Sequence, residues 1–492
     1  GTGSVGEQAD TGMGGPTQPD VGDEAGRPLP DVGEFDQIVV STRFPTSKFK
    51  DKGRKAENLR EGSSEDPVSN VLVNTYESFV NSPIFNGVVK LVRKYNNLTQ
   101  KEARRGNKAV SESLVEHAKN NLLYLFDSVP QEIRDRSKQW YVGANRFAND
   151  LIEKYSSGNE RPTLATVSAV IANLSPQKDW YMNASVADRT MQVYLQHQAD
   201  PFDDKMKEVA QQLYINRPDV SAKSKAENTK YLSEIGSRSI EEIQADNTIS
   251  ENKKNKLIAV YVRTWDQTYN DRSFNIVSPE GDILGKAKNI DGSDSRVAWG
   301  SFSEISKAIS VLRNPSQENI SRSLGDMNKV RNFYNNIHSP ESDQGFVTID
   351  THAVAASLLK PLSGNGFEVY HNFGGGNNSL GIPLAPTSSV SGHKGTYSVY
   401  EEAYRRAAKE RNVLPREMQS ITWEAIRGLF TPGYKAQEEN VQFIESIWDN
   451  YRRGRIDIDE ARSQINDHAG SIRTPDWVGP DNNRASGREG AD

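Results

Sequence analysis

The sequence contains no cysteine among its 492 residues. Disulfides, thiolate zinc sites, cysteine-ligated iron–sulfur clusters and cysteine nucleophiles are therefore excluded, because each of them requires a thiol. The chain also lacks any apolar run near the roughly 18 residues that a membrane span needs, and it shows no signal peptide. The histidines have no spacing that suggests a metal site. We therefore expect no cofactor, no metal and no membrane partner.

Negative charge is concentrated at the amino-terminal end. The whole chain carries −6 and residues 1–36 hold eight acids and one base, which is −7, so the remainder carries +1. A near-neutral body can still present a basic face, so the charge neither supports nor excludes DNA as a partner. The sequence begins with Gly1 instead of methionine, from which we expect processing, tagging or excision from a longer polypeptide.

Both ends of the chain have the composition of disordered segments. They are rich in Gly, Pro and acidic residues, and they could bury too little apolar surface to offset the entropy of ordering. We therefore expect disorder or linker over 1–69 and a disordered tail over 474–492.

Helical periodicity dominates between these ends. The predicted helices cover 110–129, 131–155, 163–175, 180–195, 250–269, 301–314, 328–337, 351–362, 398–411, 415–430, 436–453 and 457–468. β-Branched residues around the turn Ser278–Gly281 predict a small β-hairpin near 272–287, inserted between helices. The segment 363–397 is Gly-rich and irregular. The predicted fold class is all-α with one minor β-hairpin.

One aspartate has a position that suits chemistry. The segment VTIDTHAVAASLL (347–359) places Asp350 directly before a helix, where its side chain can accept the amides of the first turn. This end of a helix holds a carboxylate rigidly and keeps it ionised. Asp350 is therefore either only a helix cap or a fixed catalytic carboxylate. It follows LGDMNKVRNFYNNI (324–337), a tight polar turn that leads into a helix.

These two segments resemble the helix-hairpin-helix DNA glycosylase superfamily, the relatives of endonuclease III and oxoguanine glycosylase. T-I-D-T-H at 348–352 is similar to the family's V-D-T-H motif with the catalytic Asp, and K-V-R-N at 329–332 is similar to the end of its hairpin motif. The hairpin LGDMNK departs from the family pattern because it lacks Gly-x-Gly and is one residue shorter.

Three further segments resemble the family in the same order along the chain. An early helix ends in a Ser-x-Gln turn (170–187), a helix start bears Lys and Asn (250–257), and a helix carries Trp423 and Gly428 (401–430). The resemblance implies a two-lobed core with a cleft that holds Lys329 and Asp350. We expect these parts: one lobe over 163–362, a second lobe that combines 70–160 with 398–470, and the loop 363–397 between them.

The resemblance also implies roles for individual residues. Asp350 would stabilise positive charge on the sugar, and Lys329 would attack C1′, although a phosphate-contacting or solvated lysine is the alternative. Gln177 would fill the gap left by a flipped base, or belong to an ordinary helix-stop turn. The implied DNA contacts are Ser175, Gln177, Asn183, Gly325, Asn328, Arg331 and His352. A base pocket is expected from Tyr370, His371, Asn372 and Phe373, in a segment for which disorder is the alternative.

The function that follows from the resemblance is excision of a damaged or modified DNA base, with or without strand cleavage through Lys329. Two alternatives stay open: an enzyme of the same fold that hypermodifies phage DNA bases, and a non-catalytic DNA-binding or virion protein. The resemblance further implies a phage or mobile-element protein. It would act in the cytoplasm of a bacterial host, either made there or delivered with the virion as part of a longer polypeptide.

Overall fold

The computed structural model describes residues 75–157, 161–289, 291–325, 327–376, 381–387 and 392–478. The predicted disorder of 1–69 lies outside the described residues, as does most of the predicted tail.

Helices dominate the described residues, and the predicted all-α class with one small β-hairpin is confirmed. The amino-terminal helices are α1 (Tyr76–Val80), α2 (Phe85–Val92), α3 (Gln100–Ala103), α4 (Asn107–Ser128), α5 (Gln131–Ser137), α6 (Trp140–Tyr155), α7 (Leu164–Asn173) and α8 (Trp180–Gln196). The central helices are α9 (Asp204–Tyr214), α10 (Ala222–Ile235), α11 (Ile240–Ala245), α12 (Glu251–Tyr269), α13 (Phe302–Arg313), α14 (Gln317–Leu324), α15 (Asn328–His338) and α16 (Thr351–Leu358). The carboxy-terminal helices are α17 (Phe367–Asn372), α18 (Tyr397–Glu410), α19 (Pro415–Leu429), α20 (Pro432–Lys435), α21 (Glu438–Arg452) and α22 (Ile458–Ala469).

Short polar side chains set where many of these helices begin. Thr163, Asp179, Ser250, Ser301 and Asp350 each accept the backbone N–H three residues later, at the starts of α7, α8, α12, α13 and α16. Such a cap satisfies a donor that the helix leaves unpaired and contributes about 1 kcal/mol. These local signals explain why the predicted starts agree with the structure within a few residues.

The buried apolar side chains form two cores. The first core takes its side chains mainly from α6 to α15 and from the β-hairpin. The second core takes them from α1, α2, α4, residues 347–369, α18, α19, α21 and α22. The chain leaves the second core after Val129, enters the first core at Trp140, and returns between Ile337 and Val347.

This arrangement corrects two of the predicted lobe boundaries. Helix α6, which was grouped with the second lobe, packs in the first core, and residues 347–362 pack in the second core instead of the first. Apolar spacing shows that a helix has a buried face but not which partner covers it, so these boundaries could not be placed from sequence.

The predicted disordered tail begins too early, because residues 474–478 are packed. Trp477 and Val478 are buried in the first core, and Trp477 Nε1 donates to Glu424 Oε1 (2.8 Å). A single tryptophan buries enough apolar surface to order a short polar segment. The remainder of the predicted tail, 479–492, lies outside the described residues.

The β-hairpin pairs β1 (Asn275–Val277) with the antiparallel β2 (Ile283–Lys286) and docks on α6. A Cβ built on Gly281, whose φ is +92°, would lie 2.5 Å from Gly143 O, so glycine is needed for this close approach. Arg136 also binds the carboxylate of Glu280 at 2.8 and 3.0 Å. The predicted hairpin near 272–287 is therefore confirmed, and its turn is fixed against the first core.

Other segments differ from the sequence expectation. The helix predicted over 131–155 is interrupted between α5 and α6, and α17 lies inside the segment predicted to be irregular. No element was predicted over 196–249, where the polar helices α9 to α11 lie. No helix within the described ranges is long and apolar enough to cross a membrane.

Candidate active site

The predicted hairpin consists of α14, a short turn and α15. Gly325 ends α14 with φ +66° and ψ −148°, a backbone geometry that is essentially restricted to glycine. Arg331 fastens this turn from inside, because its Nε donates to Gly325 O (2.5 Å) and its Nη2 donates to Ser321 O (2.8 Å). Since the Arg331 guanidinium is fully buried, it stabilises the hairpin. Its contact with DNA stays a prediction that requires this group to become exposed.

Lys329 lies in the first turn of α15 and is 1% exposed. The asparagines on either side of it contact the segment that leads into α18. Asn328 Nδ2 donates to Gly392 O (3.3 Å), and Asn332 Nδ2 donates to the Tyr397 hydroxyl (3.1 Å). The start of α15 therefore contacts Gly392, before α18, and Tyr397, the first residue of α18.

Asp350 caps α16, as predicted, and is fully buried. Its Oδ1 accepts from the backbone N–H of Ala353 (2.8 Å). Helix α15 holds the residues before it, because Asn336 donates to Phe346 O (3.1 Å) and accepts from Thr348 Oγ1 (2.9 Å). This carboxyl group thus has a fixed position at the amino terminus of a helix.

Three buried tyrosines surround Asp350. Burial raises the pKa of Tyr141, Tyr397 and Tyr404 well above the ordinary phenol range, and the Asp350 carboxylate adds to the rise at each of them. These phenols therefore stay protonated at neutral pH and act as donors. Tyr141, for example, donates to Gln419 Oε1 (2.6 Å). The result is a water-poor, polar enclosure around one carboxylate.

The hydroxyl of Tyr397 connects the two predicted catalytic segments. It accepts from Asn332 Nδ2 (3.1 Å), one helical turn beyond Lys329, and from the backbone N–H of Ile349 (3.0 Å), which precedes Asp350. One phenol oxygen therefore holds the starts of α15 and α16 in a fixed relation. Sequence reasoning missed Tyr397, because nothing local distinguishes it from any other buried tyrosine at the start of a helix.

The four residues predicted to form a base pocket do not face one common space in the structure. Tyr370, His371 and Asn372 are buried in α17, and Phe373 is half-buried at its end. Asn372 Nδ2 donates to Ile349 O (3.1 Å), next to Asp350. The ring of His371 instead stacks on a tyrosine of the second core, Tyr95, with centroids 6.2 Å apart, and burial lowers its pKa. Asn372 is thus in contact with the Asp350 segment, and His371 faces the second core.

Among the other predicted DNA contacts, Gln177 is the exposed one. Ser175 Oγ donates to Ala172 O (2.7 Å) and Asn183 Nδ2 donates to Ile171 O (3.0 Å), and both side chains are buried. Gln177 projects from the turn after α7 with φ +56°, which is unusual for a residue other than glycine.

The Gln177 turn and the α14–α15 hairpin lie side by side. Asn173, at the end of α7, donates from Nδ2 to Ser323 Oγ (3.0 Å), near the end of α14. Two turns that are far apart in sequence are thereby joined at one edge of the first core. Sequence reasoning identified both turns but not Asn173, the residue that joins them.

His352 is the second residue of α16 and packs on the helix that carries Trp423. Its ring meets the Trp423 ring edge-on, with centroids 6.1 Å apart, and it is 5% exposed. The Arg427 guanidinium covers the Trp423 ring at 4.0 Å. In this position His352 connects α16 to α19, and its predicted contact with DNA stays a prediction.

A second buried carboxyl, Glu401, lies near this enclosure and was not found from the sequence. It is one helical turn from Tyr397, and after burial its charge is the largest cause of the raised pKa of that phenol. Its Oε2 accepts from Arg405 (2.8 Å). Burial raises the pKa of Glu401 itself to about 7.

Glu401→Gln is expected to flatten the pH dependence of stability. Because the folded-state pKa is about 7 and the ordinary value is 4.5, the folded protein holds a proton in this window that the unfolded chain has lost. The stability that Glu401 contributes is therefore fully present below pH 4.5, its ordinary pKa, and is lost as the pH rises through about 7. Urea unfolding at about pH 5 and pH 8 should show a wild-type loss about 2.5 kcal/mol larger than that of the variant.

The control for this prediction is Glu439→Gln, which removes an exposed glutamate of α21. It should keep the wild-type pH dependence. An equal loss of stability in Glu401→Gln and the wild type would contradict the prediction.

Among the residues that the structure describes, no group of three or more His, Asp or Glu side chains is arranged to hold a metal ion. The donors around Asp350 are mainly phenols and amides, which suit hydrogen bonding to an organic ligand.

Comparison with known proteins adds one match. Residues 105–221 and 381–430 match a family of unknown function, DUF7178. No curated protein and no solved structure matches the chain. The matched ranges contain Tyr141, Gln177, Tyr397 and Trp423 but not the α14–α15 hairpin or Asp350. The ranges that match DUF7178 therefore include the three tyrosines around Asp350.

Proposed function

We propose that this protein is a DNA glycosylase that excises a damaged or modified base, with Asp350 as its catalytic carboxylate. The observation that carries the proposal is the convergence of separate segments on this residue. Asp350 caps α16, and the Tyr397 hydroxyl ties its backbone to the first turns of α15, which carry Lys329. On the same hairpin, α14 is joined to the turn that presents Gln177. The two-lobed glycosylase-like core belongs to this proposal.

The chemistry requires a fixed negative charge near C1′ of the nucleotide. When the bond between C1′ and the base nitrogen breaks, its electron pair leaves with the base and positive charge develops on the sugar. A carboxylate held by a helix amino terminus stabilises that charge without having to reorganise. Water then attacks C1′, its proton passes to Asp350, and the departing base takes up a proton.

Lys329 offers a second route for the reaction at the positively charged sugar. A neutral amine would attack C1′ in place of water, and the resulting Schiff base would permit strand cleavage. Such an amine must lose its proton first. Lys329 is buried in the first turn of α15, and Asn332, one turn further along, is held to the backbone before Asp350 through the Tyr397 hydroxyl.

The enclosure of both residues has a consequence for substrate entry. Because Asp350 is fully buried, a flipped base can reach it only if some of the residues that cover it move. Base flipping costs a few kcal/mol, which contacts between protein and DNA must offset. We therefore expect turnover on DNA and none on free nucleosides.

The test is incubation with duplex and single-stranded DNA that contains natural, damaged and phage-modified bases, followed by mass spectrometry of released bases and of the digested nucleosides. Borohydride trapping on abasic DNA runs in parallel, with wild type and Lys329→Ala. Released base supports the proposal, and an adduct that Lys329→Ala abolishes adds the lyase route. Nucleosides with altered mass but no released base would instead identify a base-modifying enzyme.

The burial of Asp350 and Lys329 also favours a second candidate function, a non-catalytic DNA-binding protein that has kept the scaffold. In that case both side chains serve only as structural groups inside the protein. Saturable DNA binding together with no released base, no adduct and no altered nucleoside would establish this function and overturn the glycosylase proposal.

Gln177→Gly is expected to separate DNA binding from stability. Relief of the left-handed conformation should leave the free energy of unfolding unchanged or raise it by up to about 1 kcal/mol. Loss of the side chain should weaken binding to a duplex with an abasic site at least about fivefold, which corresponds to roughly 1 kcal/mol. Fluorescence anisotropy and urea unfolding measure the two effects.

Asn412→Gly is the matched control for this substitution. Asn412 is exposed and has a similar φ of +53°, in the turn between α18 and α19. It should reproduce the effect on stability and leave DNA binding unchanged. Equal DNA affinity of Gln177→Gly and wild type would refute the role of Gln177.

A further inference from the structure

A polar cavity of about 510 Å³ lies between α4 and the carboxy-terminal helices, and none of the preceding roles uses it. We call it the Arg462 cavity. Its lining includes Glu102, Arg105, His117, Tyr451 and Arg462. A cavity of this volume is in the range of small-molecule sites.

Arg462 is the group that gives this cavity its chemistry. The residue is 9% exposed, and its Nε donates to Asn121 Oδ1 (3.1 Å). Within the described parts of the chain its guanidinium forms no ion pair with a carboxylate, and burial lowers its pKa. An arginine stays charged in proteins even so. A buried charge of this kind is costly unless an anion is present to pair with it.

Two of the three acids of the lining, Glu112 and Glu116, do not supply that anion. Glu116 accepts from Arg406 (2.8 Å) and from Lys119 (2.8 Å), and Arg406 also binds Glu112. Both carboxylates are therefore paired with cations outside the lining. Arg105 is exposed and, like Arg462, forms no ion pair among the described residues. Two guanidiniums thus face one unpaired acid of the lining, Glu102.

The remaining walls suit a ligand with a flat or polar body. His117 Nε2 accepts from the amides of Asn97 and Asn121 (3.1 Å each), which leaves the ring proton on Nδ1. Burial lowers the pKa of His117 to about 3, so it stays neutral. The Tyr451 ring stacks on His117 with centroids 6.2 Å apart. The cavity thereby offers an aromatic wall beside its cation.

We propose that the Arg462 cavity binds a small phosphate monoester, with the Arg462 guanidinium as the main partner of the phosphate and Arg105 as the second. A planar guanidinium binds phosphate oxygens through two parallel hydrogen bonds. A phosphate monoester carries close to two negative charges at neutral pH, and the two arginines exceed the one unpaired carboxylate of the lining, Glu102, by one positive charge.

The cavity is distinct from the proposed active site but connected to it. Asn121, the partner of Arg462, donates to Ser357 O (3.0 Å), and Asn97 donates to Leu358 O (2.9 Å). These carbonyls end α16, and Asp350 begins it, roughly 12 Å away for eight residues at 1.5 Å each. The ligand is therefore not the base that Asp350 would act on, and the proposal stands independently of the proposed function.

The test is isothermal titration calorimetry on the full chain with inorganic phosphate, ribose 5-phosphate and thymidine 5′-monophosphate, and with thymidine as the probe without phosphate. Wild type should bind at least one phosphate probe saturably at one site and should not bind thymidine. Arg462→Gln, which keeps a group able to reach Asn121, should weaken binding at least tenfold. Arg452→Gln removes an arginine of α21 outside the lining and should change nothing.

Two results would overturn the proposal: no saturable binding of any phosphate probe by the wild type at millimolar concentration, or equal binding by Arg462→Gln. If Arg462→Gln does not fold, as judged by circular dichroism, Arg105→Gln decides. That exposed substitution should weaken binding severalfold, and unchanged affinity would equally overturn the proposal. Comparison of the phosphate probes distinguishes inorganic phosphate from a sugar phosphate or a nucleotide.

Discussion

Asp350→Asn should lower the rate of base release at least about a thousandfold, because removal of one preorganised electrostatic group costs about 10²–10³ in rate and the proposed mechanism also passes the proton of the attacking water to this group. The fold should persist. Asn and Asp are equivalent helix caps, so the amide oxygen can still accept from Ala353 N, as Oδ1 does now at 2.8 Å. The free energy of unfolding should therefore change by no more than about 1 kcal/mol. Single-turnover base release and urea unfolding measure the two quantities.

The matched control is Asp457→Asn at the start of α22. Asp457 is exposed and caps its helix in the same way, accepting from Glu460 N at 2.8 Å. It should keep full activity with a comparably small change in stability. If Asp350→Asn releases base within tenfold of the wild-type rate, Asp350 is only a helix cap. If it unfolds while Asp457→Asn does not, the carboxylate charge is needed by the fold.

Local signals in the sequence predicted those parts of the structure that depend on local interactions. Asp350 was expected at the start of a helix because a short polar side chain before an apolar run satisfies the free amides of the first turn. The hairpin near 272–287 was expected from its turn residues, and Gly325 marks the turn before α15 because few other residues adopt its backbone geometry.

The pairing of distant segments could not be predicted in this way. Arg331 belongs to a motif whose resemblance implied a contact with DNA, yet its guanidinium binds the carbonyls of its own hairpin. Tyr397 joins α15 to the residue before Asp350, and Glu401 lies beside it. The sequence spacing of these residues has no period that indicates contact, because the contacts are made across three helices that meet only in the folded chain.

Burial of polar groups was the most consequential feature that the sequence did not indicate. Lys329 and Asp350 are polar residues in segments of mixed composition, for which exposure is the usual outcome. In the structure both side chains are buried, and three tyrosines lie around Asp350. Composition reports how much polar surface a segment has, but not whether another segment will cover it.

Trp140→Ala is expected to be the most destabilising single substitution argued for this protein, at about 3–5 kcal/mol. Trp140 is fully buried and meets Trp423 and Trp477 edge-on, with ring centroids 6.1 and 6.0 Å away. Its Nε1 donates to Glu424 Oε1 (2.8 Å), which also accepts from Trp477. Truncation leaves a large cavity where α6, α19 and the residues before 478 meet, and it takes a donor from a buried carboxylate.

Trp140→Phe separates these two losses. It keeps most of the ring packing and removes only the bond to Glu424, so it should cost about 1–3 kcal/mol, the penalty of an unsatisfied buried acceptor. Urea unfolding with unchanged m-values measures both variants. If Trp140→Ala costs no more than Trp140→Phe, the packing of the three tryptophan rings contributes nothing measurable beyond the hydrogen bond to Glu424. If both variants lower the free energy of unfolding by more than these amounts, we expect that Trp423 moves when Trp140 is replaced. Because His352 packs on Trp423, the loss would then extend to α16 and to the position of Asp350.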